Sequence, residues 1–361
     1  MLSIRIRENP MPSGSRDRDV LLNWILESMG LIKRRTNQWG DDFQHDALHK
    51  LLSNTFLKDP LKGWNNADLG NQCGLSHTGI HHQITKLRTA GLISTEIDGK
   101  WHIHVLRGGS ITSAIRLVTS QARIILQIRL SELSELIHNS QIRMKITPED
   151  ENINFTINIA EHTPRRKNRD KIDSLVSSLG LDGERNRTDD NLSRKILCFL
   201  CENENPVTIL YLVDKFGGTR SRVQRIVDRM RHAGLIERVP MIDRIAQDIF
   251  SSIIRQYEGR GEEWLISTGG LGRLEESKMK LLMKNTVKGT LNISKVQEIL
   301  SEVPIPDQKI LINTLGGRMP YGIRISGIDG QELSENVLRK ADRTFRRILT
   351  VSELLDEVLI S

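Results

Sequence analysis

Apolar residues recur along this chain first at helical and then at alternating spacing, and the changes of period mark its elements. Residues 17–34 place Val20, Leu21, Trp24 and Ile25 on one helical face, with Leu31 or Ile32 to follow. Residues 42–56 repeat the pattern with Phe43, Leu48, Leu51, Leu52 and Phe56. From about residue 62 the spacing predicts a short helix, a turn at Gly74 and a helix capped by Ser76. Two alternating runs then flank Asp98-Gly99, a strong hairpin signal. A long helix is predicted over 110–138, its stripe passing from Ile111, Ile115, Val118, Ala122 and Ile125 to Leu126, Leu130, Leu133 and Ile137, an imperfect heptad. The runs 141–147 and 152–159 alternate around Pro148–Glu151 and predict a second hairpin, and 162–173 is a polar, basic linker or arm without period.

A second globular unit begins near residue 189. It reads as a helix, a further helix, a Gly217-Gly218 turn and a helix capped by Thr219. A helix over 241–257 ends at Gly259 and Gly261, and Trp264–Gly270 reads as a strand and turn leading into another helix. Beyond it the pattern predicts a helix at 294–302, strands at 308–315 and 321–328, and a closing helix from about 334.

The segments 76–93 and 219–236 are one pattern written twice. Ala90-Gly91-Leu92-Ile93 aligns with Ala233-Gly234-Leu235-Ile236, Ser76 with Thr219, Ile80 with Val223, Ile84 with Val227 and Leu87 with Met230. Upstream, Leu69 matches Leu212 and Gly74 matches Gly217. Matched caps, core positions and terminal glycines imply one supersecondary structure used twice. This repeat resembles the winged helix-turn-helix superfamily, particularly regulators of the MarR and ArsR kind, in which a helix ending in such a motif runs into a two-stranded wing.

The resemblance implies a first wing over Ile93–Leu106, with Asp98, Gly99 and Lys100 at its tip, and a returning second wing strand at Trp264–Gly270. Residues 237–262 are too long for a simple wing and predict an inserted helix. The expected fold class is mainly α with small β wings (α+β): two winged helix-turn-helix modules plus a small C-terminal α/β region. The divisions are 17–107 for the first module with its N-terminal helices, 108–161 for the long helix and hairpin, 162–188 for the linker, 189–285 for the second module and 286–361 for the C-terminal α+β region.

Charge sharpens the function this implies. The chain has 361 residues and a formal net charge of +7, which favours a polyanionic partner. On the second repeated helix Arg220, Arg222, Arg225, Arg229 and Arg231 face a single acid, Asp228. Arg222, Arg225 and Arg229 share a stripe away from the apolar positions, and Ser221 and Gln224 accompany them. Arginine grips guanine bidentately or binds phosphate. The first repeated helix is milder, with His77, Thr78, His81, His82, Lys86 and Arg88. Lys100 and the basic segment 165–171 are expected near phosphates. The bland reading of each face is a solvated helix surface; for the first module a protein contact is the alternative, with DNA the favoured reading.

Seven of the ten histidines fall within His45–His104, near Cys73, which raises a metal sensor; no Cys-x-Cys or Cys-x-x-Cys pair accompanies them there, so no metal is expected. Cys198 and Cys201 lie in an apolar helical run and read as core thiols. Three scattered cysteines fit a reducing compartment, residues 1–19 lack the apolar core of a signal peptide, and no stretch is long and apolar enough to span a bilayer. A cytoplasmic protein without cofactor is expected, and since no catalytic constellation stands out, not an enzyme. The expected partner is double-stranded DNA, and the expected role transcriptional regulation. Alternatives are a tandem winged-helix replication initiator and a winged-helix scaffold for protein contacts. The 110–138 helix either pairs two chains into a homodimer or packs within its own module, and the effector is unknown.

Overall fold

The computed structural model describes residues 1–33, 46–139, 153–161, 170–182 and 191–360. The chain begins with strand β1 (Ser3–Arg7), helix α1 (Arg18–Ser28) and a short helix α2 (Ala47–Leu51) that runs on as a π-helical turn over Leu52–Phe56. A helix pair, α3 (Asn66–Cys73) and α4 (His77–Thr89), leads into the hairpin β2 (Ile93–Asp98) and β3 (Trp101–Leu106), and the hairpin into the long helix α5 (Ile111–Ser134). Then the series starts again. Strand β4 (Thr156–Ala160) precedes helices α6 (Lys171–Ser178) and α7 (Leu192–Glu202), the pair α8 (Ile209–Phe216) and α9 (Arg220–His232), and strand β5 (Ile236–Pro240). Here the chain departs through α10 (Ile242–Ser267), α11 (Glu276–Val287), α12 (Ile293–Leu300) and α13 (Ile305–Thr314). It returns as β6 (Tyr321–Ile325) and ends in α14 (Gly330–Ile360). The fold is mainly helical with small antiparallel sheets.

The two repeated segments fold alike, for the same local reasons. The Ser76 hydroxyl accepts from the Gly79 N–H at 3.2 Å, and the Thr219 hydroxyl from the Arg222 N–H at 3.3 Å, so each helix starts with its free donors engaged. At the far ends Gly91 and Gly234 take φ of 76° and 74°, the left-handed region that glycine enters without Cβ strain. This turn lets Leu92 N–H bond the Leu87 carbonyl and Leu235 N–H the Met230 carbonyl, both at 3.0 Å. The hairpins match as well. Ile93 pairs with Leu106 at the base of the first, and Ile236 with Ile325 at the base of the second. A backbone bridge closes each sheet, Trp64 to His104 and Val207 to Ile323.

The second hairpin therefore closes at Tyr321–Ile325 and not at Trp264–Gly270. Trp264 to Ser267 continue α10 beyond a break at Gly261, and residues 308–314, read as a strand from their spacing, belong to α13. Residues 241–320 are an insertion between the two hairpin strands. Its neck is tied by the Met241 N–H to the Pro320 carbonyl at 2.8 Å, and the Arg238 guanidinium stacks over the Tyr321 ring at 4.2 Å. Below the neck, Arg324 and Glu237 form a buried ion pair at 2.8 Å. The insertion has its own core, including Ile249, Ile253, Leu265, Leu282, Val296 and Ile312.

The remaining elements share one core. Its backbone is α5 laid against α14, their buried stripes meeting through Ile115, Val118, Ala122 and Ile125 on one and Val337, Ala341, Ile348 and Val351 on the other. The face of α5 that spacing offered to a second chain, Ile115 and Ile125 included, is thus covered within the chain. Strand β4 pairs antiparallel with β1, at the opposite end of the first half, in the register Ile4–Ile159 and Ile6–Ile157. The partner predicted for it, 141–147, lies outside the described residues.

Because the insertion is closed at its neck and packed on itself, it is separable. Replacing residues 241–320 by Asn-Gly, the two-residue turn an antiparallel hairpin accepts, is expected to leave a cooperatively unfolding chain with a thermal midpoint within a few degrees of the parent's. Loss of cooperative unfolding in calorimetry would show that the main core needs the insertion.

Candidate nucleic-acid interface

Helices α4 and α9 each bury one face and leave the other to solvent. On α4, Ile80, Ile84 and Leu87 are buried while His77, Thr78, His81, His82 and Arg88 are exposed, with Lys86 half-buried. On α9, Val223, Ile226, Val227 and Met230 are buried while Arg220, Ser221 and Arg225 are exposed, with Arg222 and Gln224 half-buried. The outward residues predicted for each helix therefore share one surface, with one exception.

That exception is Arg229. Its Nε donates to the Leu181 carbonyl at 2.8 Å and its Nη2 to the Asp182 carbonyl at 3.4 Å. It is a clamp between α9 and the segment after α6, and it leaves the basic stripe on which helical spacing places it. The acid of α9 is occupied too: Asp228 accepts from the Gln224 amide at 2.8 Å and lies 3.7 Å from the Arg231 guanidinium. Arg225 donates its Nε to the Ser221 carbonyl, one turn back, at 3.1 Å and stays exposed. The outward faces of both helices thus carry donors and cations, and their single carboxylate, Asp228, is engaged on its own helix.

The first hairpin extends this surface. Gly99, with φ of 58°, turns the chain at its tip, where Lys100 is exposed. Ile97 and Trp101 flank it at 75% and 61% exposure. Sequence reasoning placed Asp98, Gly99 and Lys100 at this tip and expected Lys100 near phosphate, without singling out Ile97 or Trp101. Ile97 alternates with Ile93 and Thr95 along β2, yet it is exposed because the strands overrun the core by several residues. In the basic segment, residues 165–169 lie outside the described residues, and Lys171 is engaged by the Glu135 carboxylate at 3.0 Å.

Among the described residues no three His, Cys, Asp or Glu side chains lie close enough to hold a metal ion, and His45 is outside them. His104 is buried between two partners instead. Asn66 Oδ1 accepts at 3.0 Å, which puts the imidazole proton on Nε2, and the Thr95 hydroxyl donates to Nδ1 at 2.9 Å. Burial, with smaller contributions from His102, Arg88 and His81 nearby, pushes its pKa down to about 4. His49 is also buried, 3.3 Å from Asp19, and its pKa is lowered by burial although Asp19 opposes the shift. Cys201 is buried and Cys198 half-buried, as core thiols would be.

No described helix is long and apolar enough to cross a membrane. Comparison with protein-family models, with curated proteins and with solved structures finds no match to this chain.

His104 makes a pH prediction. Unfolded, the imidazole takes a proton near pH 6.5; folded, it resists protonation down to about 4. Its contribution is therefore complete above about 6.5 and is lost as pH falls toward 4, by roughly 2–3 kcal/mol. His104→Gln is expected to be less stable than the parent at pH 7.5, with a gap that closes by pH 4.5 in urea unfolding. A gap independent of pH would refute the assignment.

Proposed function

We propose that α4 with the β2–β3 hairpin, and α9 with the β5–β6 hairpin, are winged helix-turn-helix modules, and that the chain is a non-catalytic regulator of transcription that binds double-stranded DNA sequence-specifically. The observation that carries this reading is the pair of matched helices whose outward faces are rich in cations and hydrogen-bond donors, with Asp228, held by Gln224 and Arg231, the single acid on either helix. Such a helix fits the major groove, which is about 12 Å wide. There Arg220 and Arg225 would reach guanine edges or phosphates, and Thr78, His81, His82 and Ser221 would hydrogen-bond base edges. Arg222 and Gln224 flank the second face. Lys86, Arg88 and Lys100 stand where backbone phosphates would run. A protein-contact scaffold is less well supported, because protein interfaces centre on buried aromatic or apolar anchors. Neither helix has one on its outward face; the exposed apolar residues of the main body lie elsewhere, among them those at the hairpin tip (Ile97, Trp101), on α5 (Leu117, Ile124, Ile128) and on α8 (Leu210, Tyr211).

Arg220→Ala with Arg225→Ala is expected to weaken duplex binding at least about tenfold and to flatten the slope of log affinity against log salt by about 1 per lost phosphate contact. Arg229→Ala is expected instead to lower the thermal midpoint, since its guanidinium serves the Leu181 and Asp182 carbonyls. Equal binding by the double variant and the parent between about 50 and 200 mM salt would overturn the DNA reading of α9.

A further inference from the structure

The duplication is wider than the repeated helices, and its two copies are placed about a two-fold axis. Ile4-Arg5-Ile6-Arg7-Glu8 is matched by Ile157-Asn158-Ile159-Ala160-Glu161, and Ser28-Met29-Gly30-Leu31 by Ser178-Leu179-Gly180-Leu181. A strand paired antiparallel with its own copy has a two-fold axis through the residue that meets its equivalent. In β1 and β4 that residue is Arg5, which pairs with Asn158. Gly30 packs on Arg5, where an added Cβ would lie 2.8 Å from the Arg5 Cβ, and Gly180 packs on Asn158 in the same way at 2.6 Å.

The long helices repeat the relation. Arg123 lies seventeen residues beyond Leu106, and Asp342 seventeen beyond Ile325, the matched hairpin ends. These equivalent positions meet as an ion pair at 3.0 Å. On either side of them the helices run antiparallel: the Thr112 N–H donates to the Asp356 carboxylate at 3.0 Å, and the Ser334 hydroxyl reaches the Leu130 carbonyl at 3.4 Å. The two halves also exchange contacts reciprocally. Glu8 of the first half binds Arg343 and Arg347 on α14 at 2.8 and 2.7 Å, and Glu161 of the second accepts from Gln121 on α5 at 2.8 Å. Helix α1 packs on α14, and α6 on α5.

Extended to the elements these strands and long helices carry, the same axis would relate α4 to α9 as a homodimer relates its two recognition helices. We propose, building on the DNA-binding reading above, that one chain reads both halves of an imperfect inverted repeat without a second copy. The halves are unequal because their readers are. The α9 half-site meets arginines and a hairpin whose tip carries residues 241–320. The α4 half-site meets histidine and threonine and a slim hairpin ending in Ile97, Lys100 and Trp101. Inverted half-sites on one face of the duplex lie one helical turn, about 10 base pairs, or whole multiples of it apart.

The test is selection from random duplexes by the full chain, followed by the stoichiometry of the selected complex in sedimentation. Expected are one chain per duplex and two different, inverted half-sites. Arg220→Ala with Arg225→Ala should erase base preference in one half, and His81→Ala with His82→Ala in the other. Two chains per duplex, half-sites in direct repeat, or both variants affecting the same half would overturn the inference while leaving DNA binding intact. Absence of any duplex binding would overturn both readings.

Discussion

The packing of α5 against α14 is the contact on which the rest of this structure depends. Each long helix buries an apolar stripe, from Ile111 to Leu133 in α5 and from Leu333 to Leu355 in α14, that its own half cannot cover. Helices in water draw most of their stability from such a face and little from propensity. Each half is therefore incomplete alone, and the other supplies what it lacks. Because both belong to one chain, the pairing is intramolecular and does not depend on protein concentration. Each hairpin runs almost directly into its long helix, so the same contact fixes how α4 and α9 face one another.

Charge is sorted around that seam. Carboxylates of the two halves turn inward to bind across it: Glu8 to Arg343 and Arg347, Asp342 to Arg123, Glu353 to Arg116 at 3.4 Å, and Asp356 to the Thr112 N–H. Exposed pairs of this kind contribute little each, so their value lies in register more than in stability. Their placement has an electrostatic consequence, however. With these acids engaged at the seam and Asp228 held on its own helix by Gln224 and Arg231, the outward faces of α4 and α9 carry mainly cations and neutral donors. A net charge of +7 on a chain of 361 residues is modest, and it is felt on these helix faces although the first hairpin still exposes Glu96 and Asp98.

The parts of this fold legible in the sequence are those decided locally. The caps at Ser76 and Thr219, the turns at Gly91 and Gly234 and the hairpin at Asp98-Gly99 all follow from neighbours a few residues away. The amphipathic period of α5 is likewise written in its own sequence. What escaped was decided at a distance. Strands β1 and β4 are five residues each and lie on either side of the whole first half, and so short an alternation does not identify its partner. Trp264–Thr268 has the β-branched and aromatic look of a strand, and tertiary packing of Leu265 into the core of the insertion overrides that propensity. Arg229 sits on the basic stripe by every helical-wheel criterion. Only the fold brings the Leu181 carbonyl to it, from a segment 48 residues earlier.

The insertion shows how two copies of one pattern can be made unequal without disturbing what they share. A hairpin tip is the least expensive place to open a sheet, because its ends are already adjacent and no ladder bond need be lost. Here the ladder from Ile236–Ile325 to Pro240–Tyr321 stays intact, and the neck bond from Met241 to Pro320 continues it by one step. The main core therefore does not register the insertion. The outward surface does, since the second hairpin ends in a packed helical body where the first ends in an exposed turn. A ligand large enough to touch both a helix and its hairpin would meet two different surfaces in the two halves, although the helices follow one pattern. The asymmetry is thus built at the rim, where it leaves the α5–α14 packing untouched.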